Sequence, residues 1–309
     1  MSQPPLLDHA TQTMANGSKS FATAAKLFDP ATRRSVLMLY TWCRHCDDVI
    51  DDQTHGFASE AAAEEEATQR LARLRKLTLA AFEGAEMQDP AFAAFQEVAL
   101  THGITPRMAL DHLDGFAMDV AQTRYGTFED TLRYCYHVAG VVGLMMARVM
   151  GVRDERVLDR ACDLGLAFQL TNIARDIVDD AAIDRCYLPA EWLHDAGLTQ
   201  ENYAARENRA ALARVAERLI DAAEPYYISS LAGLHDLPPR CAWAIATARS
   251  VYREIGIKVK AAGGSAWDRR QHTSKGEKIA MLMAAPGQVI RAKMTKVTPR
   301  PAALWQRPV

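Results

Sequence analysis

Two clusters of acidic residues, each placed among apolar residues at helical spacing, constrain this chain more than any other feature. Asp47 and Asp51 are four residues apart, and Asn172, Asp176 and Asp180 repeat that spacing later in the chain. Residues four apart share one face of a helix, so each cluster forms a row of oxygen atoms. Like charges at this spacing destabilise a helix by roughly 0.2–0.5 kcal/mol per pair. Such rows beside Val, Ile and Leu therefore indicate a bound counter-ion.

Oxygen ligands of this kind favour a hard cation. Mg²⁺ in proteins typically binds one or two carboxylates together with water and substrate phosphate. Two rows that face one another would therefore bind Mg²⁺ and, through it, a diphosphate. A single row is more typical of a solvated helix end, but both rows here lie in apolar helices. We expect a metal site, with Mg²⁺ as the ion and Mn²⁺ as the alternative.

Arginines stand close to both rows. Arg44 precedes the first row by one turn, Arg175 lies next to Asp176, and Arg185 follows the second row by five residues. The planar guanidinium group binds phosphate oxygens through two parallel hydrogen bonds. Pairing with the neighbouring carboxylates would explain the same spacing equally well. Spacing alone leaves both interpretations open.

Helix signals dominate the rest of the sequence. Asp29-Pro30 and Thr105-Pro106 each place a capping side chain before a proline, which is typical of a helix N-terminus. No stretch alternates polar and apolar residues convincingly as a strand does, and no repeat or Gly/Ser linker divides the chain. We therefore expect one all-α domain over residues 1–309, with its core at about 15–285 and loose ends at 1–13 and about 287–309. The helices are predicted at residues 30–50, 59–83, 108–118, 127–150, 155–180, 208–231 and 239–260.

Composition and apolar runs exclude several classes of protein. Apolar residues make up 49% of the chain, with 17 Gly and 13 Pro, which excludes disorder and collagen-like structure. The longest apolar run, Val138 to Ala147, is too short to cross a bilayer, which needs roughly 20 residues. The Cys43-x-x-Cys46 pair lacks a second pair that would complete a zinc site. We expect a cytoplasmic protein without disulfides.

The charge is unevenly distributed. Residues 258–309 contain eleven Lys and Arg but only two acidic residues, whereas the whole chain has a net charge of −2. A basic end on an acidic body is typical of contact with an anionic surface or ligand, and a solvated tail is equally consistent. The segment lacks the repeated aromatic residues that stack on bases, so we expect no nucleic-acid partner.

Three small residues, Gly140, Gly143 and Ala147, fall on one face of a predicted helix. Glycine in a helix costs about 1 kcal/mol relative to alanine, so the pattern needs a reason. Close packing between two helices is the favoured explanation, and a groove for a long apolar ligand is the alternative.

Six segments stand in an order and spacing that together are specific over roughly residues 15–285. They are Ser18-Lys19-Ser20-Phe21; Tyr40-x-Trp42-Cys43-Arg44-x-x-Asp47-Asp48-x-x-Asp51; Tyr134-Cys135-Tyr136-His137-Val138-Ala139-Gly140-Val141-Val142-Gly143; Gln169-Leu170-Thr171-Asn172-Ile173-x-Arg175-Asp176-x-x-x-Asp180; Arg185-x-Tyr187-Leu188-Pro189; and Tyr252. On these segments the chain resembles the squalene/phytoene synthase family, and within it the bacterial members of carotenoid biosynthesis. Asp179-Asp180 is a mild departure, since many relatives have Glu-Asp there.

The resemblance implies a class I isoprenoid (terpenoid) synthase fold, a single all-α domain around a central apolar cavity. It implies a prenyltransferase that condenses two molecules of geranylgeranyl diphosphate head to head, through prephytoene diphosphate, to 15-cis-phytoene with release of diphosphate. That reaction is the first committed step of carotenoid biosynthesis and needs Mg²⁺ but no NADPH. We further expect contact with an anionic membrane surface, peripheral on the inner membrane, or with downstream carotenoid enzymes.

The resemblance also assigns roles to individual residues. The Mg²⁺ ligands would be Asp47, Asp51, Asn172, Asp176 and Asp180, with Asp48 near them. Diphosphate oxygens would contact Ser18, Lys19, Arg44, Arg175, Arg185 and Tyr252. The catalytic Tyr134 would lie beside the reacting carbons. The tails would lie against Phe21, Val138, Gly140, Val142, Gly143 and Gln169.

Three alternatives remain at this stage. The nearest is a C30 enzyme of the same family that makes dehydrosqualene or squalene from farnesyl diphosphate, although small residues such as Gly143 and Ala147 leave room for C20 tails. A head-to-tail prenyltransferase is disfavoured, because Gln53-Thr54-His55 replaces its usual Arg-Arg-Gly. A non-catalytic assembly protein is disfavoured because both acidic motifs are intact. The proton acceptor is open between Tyr134, released diphosphate and His137, for which a packed core histidine is the favoured interpretation.

Overall fold

Capping side chains set where the helices begin. The computed structural model describes residues 10–14, 24–51, 53–54, 57–58 and 66–308. Asp29 accepts hydrogen bonds from the backbone N–H groups of Ala31 and Thr32, and Thr105 accepts one from Met108. The described helices from residue 30 onward are α1 (Pro30–Ile50), α2 (Ala67–Phe82), α3 (Pro90–His102), α4 (Pro106–Val120), α5 (Phe128–Cys135), α6 (Val141–Val149), α7 (Glu155–Ala181), α8 (Ala190–Asp195), α9 (Arg209–Gly233), α10 (Pro239–Ala262) and α11 (Lys275–Met294).

The all-α prediction is confirmed. The exceptions among the described residues are two-residue strands, β1 (Gln53–Thr54) and β2 (Phe57–Ala58), which pair antiparallel. Short 3₁₀ turns lie at Arg206–Asn208 and Gly263–Ser265. No helix in the described ranges is both long enough and apolar enough to span a membrane.

The single helix predicted for residues 127–150 is wrong, because a π-helical segment interrupts it. This segment, Tyr136–Gly140, separates α5 from α6. Two histidines tie it to α4: His112 Nδ1 donates to the His137 carbonyl (3.1 Å), and His137 Nδ1 donates to the Asp111 carbonyl (2.7 Å). π-helical turns are rare and occur mostly at functional sites.

Helix α7 lies at the centre of the fold and packs against α6, α9 and α10. Its contact with α6 depends on glycine. A Cβ atom added at Gly143 would overlap the Ala161 carbonyl oxygen, and one added at Gly165 would overlap the Ala139 carbonyl oxygen. The small residues therefore serve close helix packing, the explanation favoured from the sequence.

The predicted loose C-terminus is wrong for the described residues. Helix α11 continues to Met294 despite Pro286, which has no backbone N–H to offer the Leu282 carbonyl. Trp243 Nε1 donates to that carbonyl instead, at 2.8 Å. Residues 295–308, which we call the C-terminal arm, then return across α7 and α9, and Leu304 of the arm is buried.

Polar anchors hold the arm together with the apolar contacts of Leu304 and Trp305. Arg300 makes a bidentate ion pair with the fully buried Asp163 (2.7 and 2.9 Å). The Trp305 backbone N–H donates to the Tyr226 hydroxyl at 3.2 Å. The other expected loose end is wrong in part as well, because residues 10–14 are helical with Ala10 and Met14 buried.

Candidate active site

A cavity of about 570 Å³ runs between α1, α4, α6, α7, α9 and α10. Helix α7 contributes a stripe of residues three or four apart, which begins at Val157 and Arg160 and ends at Asn172 and Arg175. At 1.5 Å per residue, the 15 residues from Arg160 to Arg175 span about 22 Å along the helix. The cavity is therefore long, and most of its polar side chains gather at the Arg175 end, whereas Arg160 lines the opposite end. Those at the Arg175 end are Tyr40, Arg44, Asp47, Asp119, Tyr134, Gln169, Asn172, Arg175, Arg185 and Tyr252.

The first acidic row stands at the C-terminal end of α1. Arg44 binds Asp47 (3.0 Å) and Asp48 (2.6 Å), and Asp51 accepts a hydrogen bond from Arg185 (2.6 Å). Burial, reinforced by the charge of Asp51, raises the pKa of Asp47 to about 6. The row thus carries more negative charge than the neighbouring arginines neutralise.

The second row lies on α7. Burial acts to raise the pKa of Asp176, but hydrogen bonds from Arg175 and Arg270 outweigh it and hold that pKa below its ordinary value. Arg270 binds both carboxylate oxygens, at 2.8 and 2.9 Å. Within the described ranges Asp180 makes no ion pair, and burial together with the charge of Asp176 raises its pKa to about 7.

Arg185 joins the two rows. It lines the cavity and donates to Asp51 of the first row, and its charge also lowers the pKa of Asp47 and of Asp180. Asp47 of the first row and Asn172 of the second also line this end of the cavity. That the two rows form the metal site stays a prediction.

The donor set fits a divalent cation. Asn172 Oδ1 is buried, and no donor within the described ranges lies within hydrogen-bond distance of it. An orphaned buried oxygen beside a row of carboxylates is what a metal ligand looks like in the absence of its ion.

A second group of possible metal ligands in the described part of the chain already has protein hydrogen-bond partners. Asp111, Asp114 and His137 bring ligand atoms within 4.8 Å of one another. However, Tyr136 donates to Asp111 and Arg75 donates to Asp114, each at 2.6 Å, and none of the three lines the cavity. This group is already satisfied by protein partners.

Sequence reasoning missed Asp119, which lies on α4 and lines the cavity. Its carboxylate accepts hydrogen bonds from Tyr187 (3.0 Å) and Tyr134 (3.3 Å), and the two tyrosine rings stack with centroids 4.5 Å apart. Burial raises the pKa of Asp119 to about 6. A single acidic residue near a helix end has no partner at helical spacing, so no pattern marks it.

Most of the predicted site residues that the structure describes line the cavity, but Asp51, Asp176, Asp180, Gly140 and Asp48 do not. Asp51 is held by Arg185, and Asp176 is held by Arg175 and Arg270. Gly140 packs against Cys162 and Tyr136 instead, because the π-helical segment turns it away. Asp48 is buried against Arg44, which it supports from the side. The predicted Ser18, Lys19 and Phe21 lie outside the described residues. The predicted residues that line the cavity are Arg44, Asp47, Tyr134, Val138, Val142, Gly143, Gln169, Asn172, Arg175, Arg185 and Tyr252.

This combination of helical fold, apolar cavity and paired acidic rows defines a known class. The model of the squalene/phytoene synthase family matches residues 14–277, and the chain belongs to that family. A phytoene synthase from Pseudescherichia vulneris is 97% identical over the full length of both chains, and a 15-cis-phytoene synthase from Pantoea ananas is 65% identical over the same span. The crystal structure of a dehydrosqualene synthase with bound ligand is similar with a TM-score of 0.81 and 26% identity, and it covers 93% of this chain and 97% of its own.

Proposed function

We propose that the chain is a 15-cis-phytoene synthase that condenses two molecules of geranylgeranyl diphosphate head to head through prephytoene diphosphate. The observation that carries the proposal is that Asp47 of the first row and Asn172 of the second line the same end of a long apolar cavity, beside Arg44, Arg175 and Arg185. One end binds diphosphate and the remainder holds prenyl chains. The names and full-length identity of the bacterial relatives support this assignment.

The polar end promotes loss of diphosphate. Arg44, Arg175 and Arg185 line the cavity, and their guanidinium groups stabilise the negative charge that develops on the leaving oxygen. Mg²⁺ or Mn²⁺, when bound, supplies further positive charge to the diphosphate. The residues that would hold it are Asp47, Asp51, Asn172, Asp176 and Asp180.

The apolar walls protect the allylic cation that remains when the C–O bond breaks. Val138, Val142 and Phe168 line the cavity beyond the polar end and exclude water. The double bond of the second substrate then attacks the cation, and loss of a proton closes the cyclopropane ring. A second ionisation, rearrangement and proton loss give the triene.

We assign the proton acceptor to Tyr134 backed by Asp119. The Tyr134 O–H donates to the Asp119 carboxylate, so a proton taken up on the phenol oxygen is matched by transfer of its own proton to Asp119. His137 does not line the cavity, and its Nδ1 is engaged with the Asp111 carbonyl. It therefore acts in packing.

The product of an incubation tests the function. Purified protein is given labelled geranylgeranyl or farnesyl diphosphate with Mg²⁺ and without NADPH, and the extracted hydrocarbons are identified by mass. We expect a C40 triene from the C20 substrate. A C30 hydrocarbon alone would favour the dehydrosqualene synthase alternative, and no hydrocarbon from either substrate would favour a non-catalytic role.

The outer face of α11 is suited to contact with a membrane surface. Ile279, Met283, Ile290 and Met294 are between 59% and 83% exposed. At 100° per residue, these four positions fall within about 60° of one another around the helix. The helix also carries four Lys and Arg against one acidic residue, Glu277. An apolar stripe flanked by basic residues is typical of an interfacial helix on anionic lipid.

Sedimentation with vesicles tests this contact. We expect the protein to sediment with phosphatidylserine vesicles at low salt, and the Met283→Glu/Ile290→Glu variant to stay in the supernatant. Ile228→Glu, at a comparably exposed position on α9, serves as the matched control. A wild-type protein that stays in the supernatant, or a stripe variant that sediments like it, would contradict the proposal.

A further inference from the structure

Arg160 stands at the end of the cavity opposite the diphosphate site. It is 6% exposed and lies on α7 about 22 Å along the helix from Arg175, with Asp163 and Asp159 as its main acidic partners. The apolar residues that line the cavity around it are Met150, Val152, Val157, Leu234 and Leu237. A guanidinium group in such surroundings persists only when its N–H groups are satisfied.

The C-terminal arm provides one of the hydrogen-bond acceptors for this guanidinium group. Arg160 Nη1 donates to the carbonyl (2.9 Å) and the hydroxyl (3.2 Å) of Ser229, and Nη2 donates to the carbonyl of Thr298 in the arm. On its other side, the stem of Arg160 is fixed by α9, because a Cβ added at Gly233 would come within 3.2 Å of Arg160 Cβ. The side chain is thus held by α9 and by the arm.

The anchors of the arm converge on the same stretch of α7. Arg300 binds the fully buried Asp163, which also accepts a hydrogen bond from Ser229 at 2.5 Å. Arg307 binds Asp159 at 2.7 Å. The family model ends at residue 277, so the arm lies beyond the part of the chain that the family match covers.

We infer that the C-terminal arm sets the depth of the prenyl-chain cavity by holding Arg160 as its floor, and thereby selects C20 chains against longer ones. The inference rests on the proposed function, since it concerns the substrate of that site. Residues at the diphosphate end bind a group common to all prenyl diphosphates. Discrimination by the length of the prenyl chain must therefore occur at the opposite end of the cavity. Arg160 is the specificity-determining residue, and Arg300 positions the arm that holds it.

Competition between substrates tests the inference. Wild type and variants receive equal amounts of C20 and C25 allylic diphosphates with Mg²⁺, and the masses of the hydrocarbons give the ratio of C25 to C20 units used. Arg160→Ala removes the floor and should raise that ratio at least tenfold. Arg160→Met fills much of the same space but loses the hydrogen bonds to Ser229 and Thr298, so it should raise the ratio by about threefold, less than Arg160→Ala. Arg156→Ala, an exposed position one turn away on α7, is the matched control.

A second variant tests the arm itself and covers a failure of Arg160→Ala to fold. Asp163→Asn/Arg300→Met replaces the buried ion pair by neutral groups and leaves Asp159 as the acidic partner of Arg160. We expect a rise of at least threefold in the ratio, together with faster hydrogen exchange in residues 295–308. An unchanged ratio in whichever of these two variants folds would overturn the inference, while C40 product from wild type would leave the proposed function standing. No hydrocarbon from wild type would overturn the proposed function itself.

Discussion

At the residue scale, Asp119 is an acidic residue of the site that belongs to neither acidic row. Its carboxylate accepts hydrogen bonds from the hydroxyl groups of Tyr134 and Tyr187 at the polar end of the cavity. Two tyrosines on one buried carboxylate fix its position and give it a path to the reacting carbons through Tyr134. Replacing Asp119 should therefore impair proton transfer and leave the binding of metal and diphosphate intact.

Replacing Asp119 by Asn should lower kcat by about 100-fold or more, because general-base catalysis contributes about 10²–10⁴-fold. KM should change little, since the residue contacts neither diphosphate nor metal in the proposed mechanism. The matched control is Asp114→Asn on the same helix, which pairs with Arg75 outside the cavity. Equal kcat in Asp119→Asn and wild type would show that Tyr134 works without it.

His112 makes stability depend on pH. Burial lowers its pKa to about 4 from an ordinary 6.5, and among the described residues its Nε2 has no hydrogen-bond partner. Between these values the unfolded chain binds a proton that the folded chain does not. The free energy of unfolding therefore falls as the pH drops from about 6.5 to about 4, by about 3 kcal/mol for this residue.

The His112→Asn variant tests this dependence. Asparagine keeps an N–H donor for the His137 carbonyl but does not titrate. On going from pH 7.5 to pH 5.0, the free energy of unfolding in urea should therefore fall less, or rise more, in the variant than in wild type, by about 2 kcal/mol. The carboxylates with raised pKa values are present in both proteins and cancel in the comparison. The same change between the two pH values in both proteins would contradict the assignment.

At the scale of elements, the contact between α6 and α7 positions the site, because α7 carries the second acidic row and the wall of the cavity. Gly143→Ala should destabilise the protein by about 1–3 kcal/mol, since its Cβ would overlap the Ala161 carbonyl oxygen and push the helices apart. Gly287→Ala on α11 is the matched control, because nothing lies within 4 Å of an added Cβ there. Thermal unfolding measures both. A tolerated Gly143→Ala would mean that the helices can separate without cost.

The helices that the sequence predicted best are those whose ends carry their own signals. The Asp29-Pro30 and Thr105-Pro106 caps placed α1 and α4 to within two residues. The π-helical segment could not be predicted, because its hydrogen bonds depend on His112 of another helix. Helix α11 was missed because Pro286 normally ends a helix, and only Trp243, 43 residues earlier, compensates for the lost hydrogen bond.

At the scale of the whole molecule, some basic residues of the C-terminal segment attach that segment to the helical core. Arg300 and Arg307 lie in a segment that composition alone could not distinguish from a solvated end, yet they bind acidic residues of α7 more than 130 residues away in the chain. Such pairs depend on tertiary position and leave no local pattern. The acidic rows were predictable because four-residue spacing fixes their face before any tertiary contact forms.

The central claim is that the two acidic rows act together on one diphosphate site. The most direct test compares the yield of C40 hydrocarbon from geranylgeranyl diphosphate and Mg²⁺ for wild type, Asp47→Asn and Asp176→Asn, with Asp221→Asn, a charged pair on the surface, as the control. We predict that each row variant loses about 100-fold or more, as expected when a preorganised charge at the leaving group is removed, while the control keeps the wild-type yield. Wild-type yield in either row variant would contradict the account, because one row would then be dispensable.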